Sequence, residues 1–231
     1  GGYYSSVYLY ENTGNRTTPI FELKNEDFLS LSDLKYNDLQ LQFADLNADG
    51  TQDLIVIGKP TNAFSPVILY ALNKDSKKLI FGDNQLTQLS FPALNFENHL
   101  FYDIDSDGFS DLLLGKSSGN LAYHRNSRNA TSLGFELQTD AFYGIGTNFT
   151  NRNLVPVIGD LNGDQKVELI TTDVTGALTI YEDFLNHLNA PKEGERENFY
   201  NNILNTVDTA NLGNSLKPVI ADLYSSGTPL I

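Results

Sequence analysis

A nine-residue loop recurs along this chain at nearly constant spacing, and that recurrence limits the possible folds more than any other feature. Three versions are intact: Asp45-Leu-Asn-Ala-Asp-Gly-Thr-Gln-Asp53, Asp103-Ile-Asp-Ser-Asp-Gly-Phe-Ser-Asp111 and Asp160-Leu-Asn-Gly-Asp-Gln-Lys-Val-Glu168. Asp222-Leu-Tyr-Ser-Ser-Gly-Thr-Pro is a decayed fourth, so the first Asp returns after 58, 57 and 62 residues. Ordinary turn chemistry favours Asp, Asn and Gly in any one loop. It does not place three such loops in register.

The segments after each loop repeat as well. Leu54–Gly58, Leu112–Gly115 and Leu169–Thr172 are short apolar runs, and second runs come next at Val67–Leu72, Leu121–Arg125 and Leu178–Glu182. Phe21-Glu-Leu and Phe135-Glu-Leu mark a further shared strand, and Val7–Asn12 matches the second-run position. Short β-branched and aromatic runs separated by Gly, Asn, Asp and Ser predict an all-β fold. A period of this length suits a four-stranded propeller blade rather than a solenoid rung. The expected architecture is a single β-propeller segment over residues 1–231. It has repeat units at about 39–96, 97–153 and 154–213 and blade remnants at 1–38 and 214–231. Those pieces amount to about four blades, read here as part of a larger ring because Leu230-Ile231 falls within an expected strand.

The loop carries the chemistry. Oxygen side chains at positions 1, 3, 5 and 9, a glycine at 6 and a carbonyl at 7 describe a cage for a hard cation, and such oxygen ligands suit Ca²⁺. The first set is Asp45, Asn47, Asp49, the Thr51 carbonyl and Asp53. The second is Asp103, Asp105, Asp107, the Phe109 carbonyl and Asp111, four carboxylates that repel one another without a cation. The third is Asp160, Asn162, Asp164, the Lys166 carbonyl and Glu168. There Gln165 occupies the glycine position, which predicts a backbone penalty of about 1–2 kcal/mol and a poorer site. Two Ca²⁺ sites are thus expected at the first two loops, with the third less suited and none at Asp222. An EF-hand is excluded, because its position-12 Glu would fall at Val56, Leu114 or Thr171, within apparent strands.

Phe43-x-Asp45-x-Asn47-x-Asp49-Gly50-x-x-Asp53-Leu54 and Phe101-x-Asp103-x-Asp105-x-Asp107-Gly108-x-x-Asp111-Leu112 resemble FG-GAP/VCBS repeats, the blades that also build integrin α-subunit propellers. Tyr10-Glu-Asn-Thr-Gly-Asn and Pro19-Ile-Phe-Glu-Leu further resemble propellers of Bacteroidota exported by the type IX secretion system. The resemblance implies an extracellular or outer-membrane surface module that is Ca²⁺-loaded, usually non-enzymatic, and active in adhesion or binding. Its implied partners are a protein or glycan at the cell surface and, during export, the outer-membrane secretion machinery.

Composition removes other classes. Fifteen basic against 29 acidic side chains give a net charge of −14, the opposite of a nucleic-acid footprint. No apolar run is long enough to span a bilayer as a helix. The absence of cysteine excludes thiolate catalysis and zinc thiolate sites. His99, His124 and His187 lack metal-ligand spacing and any catalytic partner in a known motif. The expected function is therefore a non-catalytic, Ca²⁺-stabilised binding module. The alternative is the propeller part of a secreted polysaccharide-degrading enzyme whose catalytic groups lie outside this chain. The connection Asp183–Asn202, with Phe184, Phe199 and Tyr200 among alternating charges, is expected to pack beside the third loop and to offer a partner aromatic anchors.

Overall fold

Each intact Asp loop joins the first strand of an antiparallel sheet to its second, as the repeat predicts. The computed structural model describes residues 6–15, 17–81, 86–127, 133–201, 206–209, 213 and 216–220. Among these, β1 (Leu9–Asn12) pairs with β2 (Phe21–Asn25). The first four-stranded sheet is β3 (Tyr36–Ala44), β4 (Asp53–Pro60), β5 (Val67–Ala71) and β6 (Thr87–Gln88). The second is β7 (Asn98–Tyr102), β8 (Asp111–Gly115), β9 (Leu121–Asn126) and β10 (Phe135–Thr139). The third is β11 (Val155–Gly159), β12 (Glu168–Thr172), β13 (Leu178–Tyr181) and β14 (Glu195–Arg196). β15 (Asn198–Asn201) and β16 (Thr206–Thr209) form a further hairpin. All three four-stranded sheets run in chain order. Of the segment read at the second-run position, Tyr10–Asn12 pairs with Phe21-Glu-Leu, the further shared strand.

Burial follows strand position. The second strands, β4, β8 and β12, are buried residue after residue from the loop's position 9 onward, so both faces of each are covered. This explains why they read as continuous apolar runs rather than alternating ones. The outer strands β2, β6 and β14 are exposed throughout. Charged and polar side chains on such edges discourage pairing with other chains.

The chain divides into two compact units, residues 1–95 with 105–110 and 126–135, and residues 96–104, 111–125 and 136–231. In the first, Phe28, Leu31, Leu54, Val56 and Leu69 form the core, with Val7 and Leu9 packed against it. In the second, Leu113, Leu121, Phe142, Tyr143, Leu169 and Phe184 pack together, and Ile170, Leu178 and Ile180 form a smaller cluster. Phe184 is fully buried and makes an edge-on contact with Phe142 at 6.5 Å. The expectation of an exposed Phe184 anchor is therefore corrected. The third sheet closes earlier than expected too, because β14 ends the connection from β13 at Gly194. The side chains of Phe199 and Tyr200, the fourth loop at Asp222 and any pairing of β1 with Ala221–Ile231 lie outside the described residues.

His99 in β7 is buried among apolar strands, and burial, reinforced by nearby His124, pushes its imidazole down to about 4. A base whose folded value lies below its unfolded value stabilises the neutral fold. That stability is complete above about pH 6.5 and is lost as pH falls through about 4, a span worth roughly 3 kcal/mol. Replacing His99 with Leu should flatten the difference in unfolding free energy between pH 7 and pH 4.5 relative to the parent protein. Parallel pH profiles from chemical denaturation would show that His99 does not carry it.

Candidate metal centre

The three loops share one backbone turn. Positions 4 and 6 have positive φ in every copy: Ala48 (57°) and Gly50 (79°), Ser106 (59°) and Gly108 (91°), Gly163 (80°) and Gln165 (68°). Each loop thus holds one glycine and one other residue in the left-handed region. The third loop has merely exchanged them. The backbone penalty assigned to Gln165 is real, but Ala48 and Ser106 carry its equivalent, so it does not set the third loop apart.

The hydrogen bonds repeat with the turn. The position-9 carboxylate accepts the position-2 N–H in all three copies: Asp53 from Leu46 (2.9 Å), Asp111 from Ile104 (3.2 Å) and Glu168 from Leu161 (2.7 Å). The position-5 carboxylate accepts the position-7 N–H: Asp49 from Thr51 (2.8 Å), Asp107 from Phe109 (2.9 Å) and Asp164 from Lys166 (2.9 Å). At position 1, Asp45 takes the N–H of Gly50 at 2.8 Å and Asp160 that of Gln165 at 2.8 Å. The carboxylates therefore build the loop as well as supplying ligands. A carboxylate offers about four lone-pair sites, so accepting one or two N–H groups leaves capacity for a cation.

In the second loop the carboxylates converge. One oxygen each from Asp103, Asp105 and Asp111 lies within 4.8 Å of the others. Oxygens that share a Ca²⁺ at about 2.4 Å can be at most about 4.8 Å apart, so the set fits one ion. Asp111 is fully buried and also accepts the Tyr123 hydroxyl at 3.0 Å, whereas Asp105 is exposed. Asp111 is thus held from the protein side, and Asp105 presents its carboxylate at the surface. Among the described residues this is the one group in which three such side chains converge. Asp107 stands outside that trio, bonded to Phe109.

The first and third loops have Asn at position 3 and are drawn onto their own backbone. Asn47 donates to Asp49 at 2.9 Å, and the Thr51 hydroxyl donates to Asp49 at 2.5 Å. That hydroxyl bond holds the Asp49 carboxyl below its usual range. Burial pushes the Asp53 carboxyl up to about 6, and burial also raises Glu168. Burial therefore makes the ionised forms of Asp53 and Glu168 costly, and an adjacent cation would relieve that cost. Asn162 accepts the Asp164 N–H at 2.9 Å. The Thr51, Phe109 and Lys166 positions, expected to act through their carbonyls, are the N–H donors to position 5 described above.

A fourth participant was not singled out from the sequence. Residues at or just after the end of each third strand bond to an Asp loop. Asn73 donates its N–H to Asp53 at 2.8 Å and accepts three N–H groups of its own connection through Oδ1. Asn126 is buried, and its amide donates to the Leu46 and Ser110 carbonyls, both at 3.1 Å. Ser110 in turn donates its N–H to the Asp45 carbonyl at 2.8 Å, so the tip of the second loop is tied to the first loop. Asp183 takes the Lys166 ammonium at 3.3 Å, and Phe184 donates its N–H to Val167. The connection from β13 therefore does begin beside the third loop. The available signal was an Asn or Asp two or three residues after a tyrosine: Tyr70 and Asn73, Tyr123 and Asn126, Tyr181 and Asp183.

A family model for FG-GAP-like repeats matches residues 103–171. The match begins on the first Asp of the second loop, crosses β8 to β11 and the whole third loop, and ends within β12. No curated protein and no solved structure matches the chain significantly. An FG-GAP-like repeat thus covers the loop in which three carboxylates converge and the loop after it.

Proposed function

We propose that this chain is a stretch of β-propeller whose Asp loops hold Ca²⁺, and that it acts outside the cell as a non-catalytic module that binds a surface protein or glycan. The observation that carries the reading is the identical turn in all three loops, with three carboxylates gathered at Asp103, Asp105 and Asp111. Ten of the 29 acidic side chains sit in those loops. The loops then serve as rivets at one end of each sheet, leaving the connections free to vary. Asp103, Asp105, Asp107, Asp111 and the Phe109 carbonyl form the principal set. Asp45, Asn47, Asp49, Thr51 and Asp53, and Asp160, Asn162, Asp164, Lys166 and Glu168, form the other two. Bound Ca²⁺ would supply charge neutralisation and cross-linking of the strand ends.

A secreted or surface location, an adhesive role and export by a type IX route are supported by the resemblance of Tyr10–Asn15 and Pro19–Leu23 and of the loops themselves. The test is capture. Immobilised chain should retain envelope proteins or polysaccharide in Ca²⁺ and release them in chelator, with no change in polysaccharide chain length. Shortening of the polysaccharide by the chain alone would overturn the non-catalytic reading and favour a hydrolase or lyase.

A further inference from the structure

The second compact unit contains a cavity of about 760 Å³ lined by residues of β12 and β13 and of the connections around them. Its size is that of sites for small organic ligands, roughly 300–1,000 Å³. Its walls are unlike an apolar ligand pocket. Main chain at Gly119, Gly144, Gly146 and Gly194 forms much of the surface, and hydroxyl, amide and carboxylate side chains form most of the rest.

Three side chains define its chemistry. Tyr181 of β13 presents a half-buried ring, stacked edge-on against Tyr143 at 5.6 Å, and its hydroxyl bonds Thr171 of β12. Asp173 is buried just beyond β12. One of its oxygens accepts the Thr175 N–H (2.7 Å) and hydroxyl (2.5 Å), and the other has no hydrogen bond among the described residues. Tyr143 accepts the Lys192 N–H through its hydroxyl at 3.2 Å and so ties the lining segment Pro191–Gly194 to its own ring. That hydroxyl is not demanded by the fold. Phe28-Leu29 makes the same turn as Phe142-Tyr143, with φ of 55° and 54° at the second residue, and uses leucine there. Gly194 lies so close to the sheet that a Cβ would meet Thr179 and the Tyr181 ring at 2.5 Å. Any larger residue there would have to displace those side chains.

We infer that this cavity binds a neutral saccharide unit, with the sugar ring against Tyr181 and its hydroxyls on Asp173, Thr171 and the glycine-lined main chain. Apolar ligands would leave the carboxylate, amides and hydroxyls of the walls without partners. Anions would meet Asp173 and Glu193 against Lys192 in a chain of net charge −14. A polyhydroxylated neutral ring is the chemistry that matches mixed donors and acceptors beside an aromatic wall. The inference rests on the binding-module reading and names the ligand class it would serve.

The experiment is saturation-transfer NMR with calorimetry on the full chain in Ca²⁺, using methyl glycosides of glucose, galactose, mannose and N-acetylglucosamine, their β-linked disaccharides, and glucuronate. At least one neutral sugar should bind, and Asp173→Asn and Thr171→Val should each weaken it about tenfold or more. Both substitutions retain shape, and both variants should keep the parent's melting temperature in Ca²⁺ within a few degrees. Absence of saturation transfer from every neutral sugar, preference for glucuronate, or parent-like affinity in both variants would overturn the inference. A Ca²⁺-dependent rise in melting temperature, measured on the same samples, reports separately on the cation scaffold and stands or falls independently of sugar binding.

Discussion

Excess Ca²⁺ should raise the melting temperature of this chain by roughly 10–20 °C over the same protein in chelator. A ligand at 100 times its dissociation constant stabilises a fold by about 2.7 kcal/mol per site, so two filled loops give roughly 5 kcal/mol. For a domain of this length each kcal/mol is worth about 2–4 °C. The effect should be steep because the second loop gathers one oxygen each of Asp103, Asp105 and Asp111 within 4.8 Å of one another, where a bound ion offsets their mutual repulsion. Mg²⁺ should stabilise less, because it demands smaller, near-octahedral geometry and dehydrates reluctantly. Asp107→Ala should reduce the Ca²⁺-dependent rise more than Asp164→Ala, since the second loop has the larger charge to neutralise. Equal melting temperatures in Ca²⁺ and chelator would remove the structural role of the cation.

Asp111→Ala should be the most damaging single loop substitution, and it should be damaging even in chelator. Asp111 is fully buried and its Oδ2 accepts both the Ile104 N–H and the Tyr123 hydroxyl. Truncation removes the acceptor of the buried Ile104 N–H and of the half-buried Tyr123 hydroxyl, at about 1–3 kcal/mol each. The sum, on the order of 4 kcal/mol, corresponds to a fall of about 10 °C in melting temperature. Asp105→Ala makes the contrast, because Asp105 is exposed. In chelator its loss should leave the melting temperature within a few degrees, because contacts of an exposed carboxylate contribute little, while in Ca²⁺ much of the rise should vanish. Differential scanning calorimetry of the two variants, each with and without Ca²⁺, separates the two roles. Similar behaviour of both variants in chelator would contradict the division between a buried organiser and an exposed ligand.

The sequence disclosed much of this because the repeat samples one local solution three times. The loops fix where first strands end and second strands begin, and the buried second strands read as apolar runs such as Leu112-Leu-Leu because both faces are covered. The glycine pattern was harder to interpret. Position 6 alone suggested that Gln165 spoiled the third loop, whereas the turn has two left-handed positions and Gly163 fills the other. That equivalence is a matter of backbone angles, which residue identities only hint at. Phe184 was misread because its neighbours Glu182, Asp183 and Asn186 are polar. A single aromatic residue after a strand has no periodicity to reveal that it turns inward to Phe142 and Tyr143. Asn126 was legible only as a residue after a strand, since its partners at Leu46 and Ser110 are 80 and 16 positions away. The cavity beside Tyr181 is assembled from five separated segments, and no local pattern announces it.

The most direct measurement is a calorimetric Ca²⁺ titration of chelator-stripped protein, repeated with Asp103→Asn and Asp105→Asn combined. The parent chain should bind Ca²⁺ at two or three sites, and the double variant should lose one site while retaining the others and its cooperative unfolding. No Ca²⁺ binding by the folded parent, or an unchanged number of sites in the double variant, would contradict the assignment of the second loop as a cation centre.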